Sequence, residues 1–473
     1  MSQPLRKLVP VTPAGEASLY EVRQKIYPRA VGGWFAAWRW TLVWATQLVF
    51  YGGAWLQWNG RQALLFDIVH RKFYLFGLVF WPQDIVYLTV LLVVSAFSLF
   101  LFTAVAGRLW CGYACPQTVY TEIFLWIERK IEGDRAAQMR LDKEGLSAKK
   151  FLVKGSKHTA WLALSLWTGF TFVGFFTPIR ELWSEALSFA MGPWETFWVG
   201  FYGFATYGNA GWMREQVCKY MCPYARFQSA MFDRDTMIIT CDRARGEPRG
   251  GRSKNIDPKA HALGDCVDCG ICVQVCPTGI DIRNGLQYEC IGCAACIDGC
   301  DQVMDKMGYA RGLIRYSTTH AMERGLSRRQ MLTRAFRPRV LVYFAILLAI
   351  VAAAGVSLSL RVPLKVDIIR DRAAIARDVG DGEIENVYRL QIMNTTEQPR
   401  MYEIAVAGLK EIHIDGNPSV EVGGASSRMV PVKIRVHVER EHVRAGTYPI
   451  EFTVRAPEAP RERVREKSVF IVR

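Results

Sequence analysis

No cysteine precedes Cys111 and none follows Cys300, so the stretch from 301 to 473 can hold neither a disulfide framework nor a thiolate metal site. Charge is missing elsewhere. Ile85 to Gly107, Thr159 to Ile179 and Val340 to Leu360 contain no Asp, Glu, Lys or Arg. A soluble helix would show a charged face, whereas each of these windows is near the ~20 residues that a membrane-spanning helix needs. Met1 to Gly33 lacks an apolar run, which argues against a cleavable signal and leaves the first spanning helix to direct insertion.

At 473 residues the chain is too long for one compact core. Its mean hydropathy of +0.07 fits membrane segments joined to polar domains. Two further windows complete the membrane part. Ala36 to Trp58 is apolar apart from Arg39, which is close enough to one end to reach headgroups, and Pro193 to Trp212 carries Glu195, read as lying near a membrane surface. Phe73 to Trp81 is apolar but too short to cross and reads as interfacial or re-entrant.

The net charge of +15 raises the option of a nucleic-acid partner, but its distribution excludes that reading. With five crossings, residues 108–158 and 213–339 fall on one side and hold ten and twenty Lys and Arg; the opposing loops 59–84 and 180–192 hold three and one. The positive-inside rule puts the basic side, with the N-terminus, in the cytoplasm and the tail from Arg361 outside. The basic run from Arg324 to Arg339 fits a topology anchor that meets anionic lipid. All thirteen cysteines then lie on cytoplasmic segments or at their membrane edges, where thiolate metal ligands are the leading reading.

The strongest motif is a pair of cysteine runs. "CVDCGICVQVCP" gives Cys266, Cys269, Cys272 and Cys276 in the C-x2-C-x2-C-x3-C-P spacing of bacterial ferredoxins, and "CIGCAACIDGC" repeats it with Cys290, Cys293, Cys296 and Cys300. In the ferredoxins these runs resemble, the fourth cysteine crosses to the other cluster. That implies one [4Fe-4S] cluster on Cys266, Cys269, Cys272 and Cys300, and a second on Cys290, Cys293, Cys296 and Cys276. Structural zinc fits poorly, because zinc sites pair two knuckles across a longer gap. Asp301 stands where the general pattern has proline. Two clusters make a wire for single electrons, not a bond-making site.

A second pair of motifs sits at membrane edges. "CGYACP" (Cys111, Cys115) and "CKYMCP" (Cys218, Cys222) share C-x-Y-x-C-P, and each follows two crossings, so the membrane part reads as a parallel two-helix duplication plus one helix. Both copies then face the same side, and the four cysteines can share a site. Residues four apart share a helical face. Pro116 and Pro223 disfavour helix at the cysteine before them, so each helix ends or restarts there. Soft thiolates select Cu(I), zinc or iron–sulfur; the plainer reading is small packing residues. Cys241 has no such partner and reads as an ordinary reduced thiol. His70, His158, His261 and His320 are scattered singly and read as surface or packing residues.

From about Val362 short alternating runs appear at 387–394, 401–408, 427–438, 447–456 and 467–473, separated by Gly, Pro, Asn and Asp. They predict an all-β immunoglobulin-like sandwich with a docking, scaffolding or simple capping role. The expected architecture is a multi-domain membrane protein: a cytoplasmic tail (1–35), a four-helix membrane domain (36–230), a 2[4Fe-4S] ferredoxin-like α+β domain (231–339), a fifth transmembrane helix (340–360) and a periplasmic sandwich (361–473).

With "CGYACPQ", "CKYMCPYARFQ", "RGEPRG" at 245–250, both ferredoxin runs and "GLIRY" at 312–316, the chain resembles the CcoG (FixG, RdxA) family of cytochrome c oxidase accessory proteins over nearly its whole length. The second run, with Asp301, is similar to the family's own. The resemblance implies a bacterial inner-membrane polyferredoxin that reduces Cu(II) to Cu(I) and serves copper delivery to the cbb-type oxidase. Its copper would be held at Cys111, Cys115, Cys218 and Cys222. The partners implied are a cytoplasmic electron donor, a copper chaperone or transporter, oxidase subunits and inner-membrane lipid, with a homodimer left open. Two alternatives stand beside it. One is a quinol-linked membrane ferredoxin relaying electrons to an exported reductase, whose group is expected to lack the sandwich. The other is a non-redox assembly scaffold.

Overall fold

The computed structural model describes residues 25–256, 261–371, 376–380, 382–437 and 444–472; residues 1–24 of the expected N-terminal tail lie outside the described residues. Long helices form where apolar, straight-chain and aromatic residues run without a breaker. They span Trp34–Gly53, Ile85–Ala106, Ala148–Val173, Pro193–Thr206 and Pro338–Ser359. Two stretches, Pro82–Ala106 and Pro338–Ser359, are long and apolar enough to cross a membrane. They lie along one another, as do Ala148–Val173 and Pro193–Thr206. The second pair approaches closely at Gly169, where an added Cβ would stand 2.8 Å from the Gly203 nitrogen.

Prolines mark several starts. Pro116, Pro193, Pro223 and Pro338 each sit at the head of a helix, where their missing N–H is no loss and their fixed φ suits the first turn. The Ala148–Val173 helix begins well before its apolar window, with the Ser147 hydroxyl accepting from Lys150 N. Its charged first half faces the Pro116–Glu132 helix, where Lys154 and Lys157 reach Glu132 at 2.9 and 2.8 Å. Arg214 reaches Glu128 of the same helix at 2.7 Å. The Pro193–Thr206 helix continues into π turns at Tyr207–Met213 and Val217–Met221, and Cys218 lies in the latter.

Residues 57–84 correct the expectation of an interfacial or re-entrant segment. Phe73 to Trp81 contributes to strands Lys72–Leu75 and Leu78–Phe80, which with Leu64–Asp67 make a three-stranded antiparallel sheet. A two-residue hairpin, Gln57–Trp58 with Arg61–Gln62, precedes it. Asn59 and Gly60 turn this hairpin at φ 47° and 78°, the left-handed pair such a turn needs.

The C-terminal part is a two-sheet sandwich. One sheet orders His413–Asp415, Ser426–His437, Glu383–Asn394 and Leu364–Arg370, with Arg377–Asp378 paired to Glu383–Asn394; the other orders Ser419–Val422, Arg400–Ala407, Gly446–Ala456 and Ala459–Val472. Alternation drives it: Ile450, Phe452, Val454 and Ala456 point inward from one strand and are buried among Tyr388, Leu390, Ile392, Tyr402 and Phe470. The five predicted strands are all present, and the strands at 364–370, 377–378, 413–415 and 419–422 are additions. The sandwich rests on the 57–84 strands through Arg61 to Glu397 at 2.7 Å, Lys72 to the Ala425 carbonyl at 3.0 Å and Gln83 to Asp367 at 2.6 Å.

At the root of the last long helix Arg361 pairs with Asp84, whose side chain is 2% exposed, and Lys365 approaches the same carboxylate at 3.4 Å. Removing the carboxylate would leave Arg361 buried without its partner, so Asp84→Ala should lower the unfolding free energy by about 3 kcal/mol. Thermal unfolding of the detergent-solubilised protein measures it, and an unchanged transition would refute it.

Candidate metal centres

Both cysteine runs are bracketed by an antiparallel ladder of Ile238–Cys241 with Ile314–Ser317. Each run turns left-handed twice at matching places, at Asp268 and Gly270 in the first and at Gly292 and Ala294 in the second, with φ of 51°, 65°, 70° and 59°. Each then enters a helix, Ile271–Gln274 or Ala295–Met307. Alternating hand along a backbone turns successive N–H groups to one side, a concavity suited to the negative sulfurs of an iron–sulfur site. The departure at Asp301 has a local reason. The second helix runs on past Cys300 to Met307 where a proline would break it, and the Asp301 carboxylate accepts the Gly312 N–H at 2.9 Å.

The eight cysteines line two cavities. Cys266, Cys269, Cys272 and Cys300 face one, and Cys276, Cys290, Cys293 and Cys296 face the other, whose wall Cys272 also touches. These are the two crossed sets expected from the runs. None of the eight is in a disulfide. Burial pushes Cys272, Cys290 and Cys300 up to about 12, so a positively charged centre is what would hold them as thiolates. Among the described residues no three His, Cys, Asp or Glu converge tightly enough for a single metal ion. The triple C-x2-C-x2-C runs suit two cubanes better than two zinc ions, whose sites pair two knuckles across a longer gap.

The membrane-edge cysteines come together against the second run. Cys111 lies on the short helix Leu109–Tyr113, while Cys115 and Cys222 take extended backbone at the heads of the Pro116–Glu132 and Pro223–Met231 helices, as the prolines predict. Burial pushes Cys218 up to about 12, and Cys115, Cys111 and Cys222 add to that shift, which places the four sulfurs within electrostatic reach of one another. Burial likewise takes Cys111 to about 11, eased by a contact with the buried Gln228 amide at 3.5 Å. Cys111 and Cys218 pack on Val275, Ile291, Cys293 and Ala295 of the ferredoxin runs. A Cβ on Gly112 would stand 2.7 Å from both the nitrogen and Cα of Cys293. The buried Arg108 acts electrostatically on Cys111, Cys218 and Cys290 together.

Cys241 was not legible as a site residue, yet it lines the first cavity beside Cys266, Cys269, Cys272 and Cys300. Its place comes from strand pairing with Ile314, and no nearby spacing signals it. Of the scattered histidines, His158 stacks on Trp212 and bonds Tyr207, His320 meets Asp235, His70 meets Asp67, and His261 is exposed.

Comparison with known proteins gives three family matches: a 4Fe-4S dicluster domain over residues 213–319, a 4Fe-4S binding domain over 88–133, and the IG-like fold at the C-terminus of FixG over 354–473. Nitrogen fixation protein FixG of Rhizobium meliloti is 36% identical over 456 residues, covering 88% of this chain and 87% of the relative. RdxB and RdxA of Cereibacter sphaeroides are each 38% identical, covering 86% and 88% of this chain and 87% of either relative. A solved FixG-related protein from Vibrio parahaemolyticus, 23% identical with a TM-score of 0.20, covers 23% of this chain and 95% of its own.

Because Gly112 leaves no room for a side chain against Cys293, Gly112→Ala should alter the electron paramagnetic resonance signal of the second cluster and leave the first unchanged. Two unaltered signals would show that the contact does not shape the cluster site.

Proposed function

This chain belongs to the FixG/RdxA family of iron–sulfur electron-transfer proteins, and on that premise we propose that it reduces Cu(II) to Cu(I) for delivery to a cbb-type oxidase. The observation that carries this reading is the packing of Cys111 and Cys218 directly on the second ferredoxin run. Held by the eight ferredoxin cysteines, the clusters supply electrons singly, and one electron converts one Cu(II) to Cu(I). Among the described residues no three of these sulfurs converge on one point, so Cys111, Cys115, Cys218 and Cys222 would draw together to hold the copper substrate, which thiolate sulfur favours as Cu(I). Burial pushes the Cys115 thiol up, and the backbone amides of Gln117 and Thr118 at the head of its helix oppose that rise. Cys269 is exposed and Cys293 is buried against Cys111 and Cys218, so the first cysteine set is the one a soluble donor would approach and the second the one beside the copper-holding cysteines.

The same reading sets the chain in the bacterial inner membrane with five crossings, the basic loops and ferredoxin domain in the cytoplasm and the sandwich in the periplasm. Lipid-facing character supports this. Leu91, Leu92, Leu162, Leu166, Phe201, Phe204, Leu341 and Leu348 are exposed along the long helices. A copper chaperone or transporter, oxidase subunits and a second copy of the chain are the partners this function calls for. One observation favours a second reading, quinol oxidation: a cavity lined by Arg39, Trp40, Gln117, Glu122, Leu125 and Cys218 reaches Cys293.

Purified full-length protein with chemically reduced clusters should reduce Cu(II), read with a Cu(I)-selective chromogenic chelator. Changing Cys111, Cys115, Cys218 and Cys222 together to Ala should drop that rate to background with the iron content kept; an undiminished rate would overturn the assignment, and quinol oxidation in its place would promote the second reading. Thiols at about 11 and about 12 must lose protons to bind copper, so copper affinity should rise with pH across the neutral range. A competition titration at several pH values checks it, and a flat profile would count against thiolate binding.

A further inference from the structure

We propose that Cys241 is a hydrogen-bond donor to the first cluster, a ninth cysteine of the ferredoxin domain that raises that cluster's reduction potential without binding iron. The strand that carries it lies across both cavities. Along Ile238–Cys241 side chains alternate, so Ile239 and Cys241 share a face. Ile239 lines the second cavity and Cys241 lines the first. One strand thus presents an aliphatic group to one cluster and a thiol to the other.

Ligation does not account for this thiol. Cys266, Cys269, Cys272 and Cys300 already provide one sulfur for each iron of a cubane, and Cys241 is a fifth sulfur in the same wall. Its electrostatic neighbours are Cys266 and Cys300, which puts it against the ligands themselves. An ordinary thiol is protonated at neutral pH. Among the described residues no hydrogen bond engages the Cys241 sulfur, while its backbone is fixed by pairing with Ile314. The S–H is therefore available to a cluster or ligand sulfur.

The consequence follows from charge. Each electron added to a cluster makes its sulfurs more negative, and a donor aimed at them stabilises the reduced form more than the oxidised one. Arg283, held by Asp281 at 2.7 Å, lines the same cavity and acts in the same direction. Around the second cavity Ile239, Ile280, Ile282 and Ile291 are aliphatic, and the group able to donate there is the Thr278 hydroxyl, 3.3 Å from the Cys276 sulfur, so the Cys241 thiol is particular to the first cavity.

The inference rests on the two-cluster assignment and not on copper: protein that reduces no copper but shows the shift below would retain it. Full-length protein in detergent is titrated potentiometrically, with each cluster followed by electron paramagnetic resonance. Cys241→Val fills the same space without a donor; it should keep the full iron content and lower the midpoint of one cluster only. Cys241→Ser, a stronger donor, should hold that midpoint at or above the unmutated value. If the valine variant does not fold, Cys241→Ala serves for the same comparison. Unmoved midpoints in a fully loaded donor-less variant would overturn the proposal, and so would iron loss in the serine and alanine variants alike, which would make Cys241 a ligand.

Discussion

A helix that begins at Trp34 leaves its first amide groups without partners, and here the acceptor comes from more than 260 residues away. Asp298, between Cys296 and Cys300, accepts the Phe35 and Ala36 N–H groups at 3.2 and 2.8 Å. Its negative charge also suits the positive end of that helix. Gly33 makes the approach possible, since an added Cβ would run into the Asp298 side chain. Arg39, further along the same helix, donates to the Cys293 carbonyl at 2.6 Å. Tyr316 donates to the Gly292 carbonyl at 2.6 Å with the Tyr113 hydroxyl 3.4 Å from its own. These bonds all end on the second cysteine run. Electron tunnelling weakens steeply with distance, so a run clamped to the helix ends is what a relay toward the membrane edge requires.

Clamping has an electrostatic cost that the site itself offsets. The same contacts that hold the second run bury its sulfurs, and buried thiols resist losing their protons. Arg108 answers part of this at Cys290, and at the neighbouring Cys111 and Cys218, while its own guanidinium donates to the Ala225 carbonyl. The rest falls to the metal charge. A site of this kind binds metal with proton release.

Much of this was legible in the sequence, for reasons that differ from part to part. Ligand spacing is local chemistry, so likeness to the ferredoxin runs is enough to sort Cys266 to Cys300 into two sets. The breaks at Cys115 and Cys222 follow from the prolines after them, and the sandwich strands from period-two alternation. What could not be read depends on residues distant in the chain. Asp298 and Arg39 carry no motif, and Cys241 gains its meaning only from pairing with Ile314. The strands at 64–80 are a different case: length alone makes the apolar run of Phe73 to Trp81 look interfacial, and its antiparallel pairing with Leu64–Asp67 shows only in the structure.

The duplication is clear in sequence and broken in structure, and the break has a physical cause. Cys111 stands on an α-helical turn and Cys218 on a π turn. After the first cysteine comes Gly112, and at the corresponding place in the other copy Lys219. Two related motifs meet a single ferredoxin loop, which cannot present the same surface to both. The copy that presses on Cys293 must have glycine there, because the backbone it meets would stand 2.7 Å from any Cβ. The other copy is free of that constraint and keeps a lysine that is only half-buried. Its cysteine instead comes near the other three sulfurs through the wider π turn, a local distortion often found at functional sites. Asymmetry of the partner, rather than drift in the repeat, accounts for why one motif reads Cys-Gly-Tyr and the other Cys-Lys-Tyr.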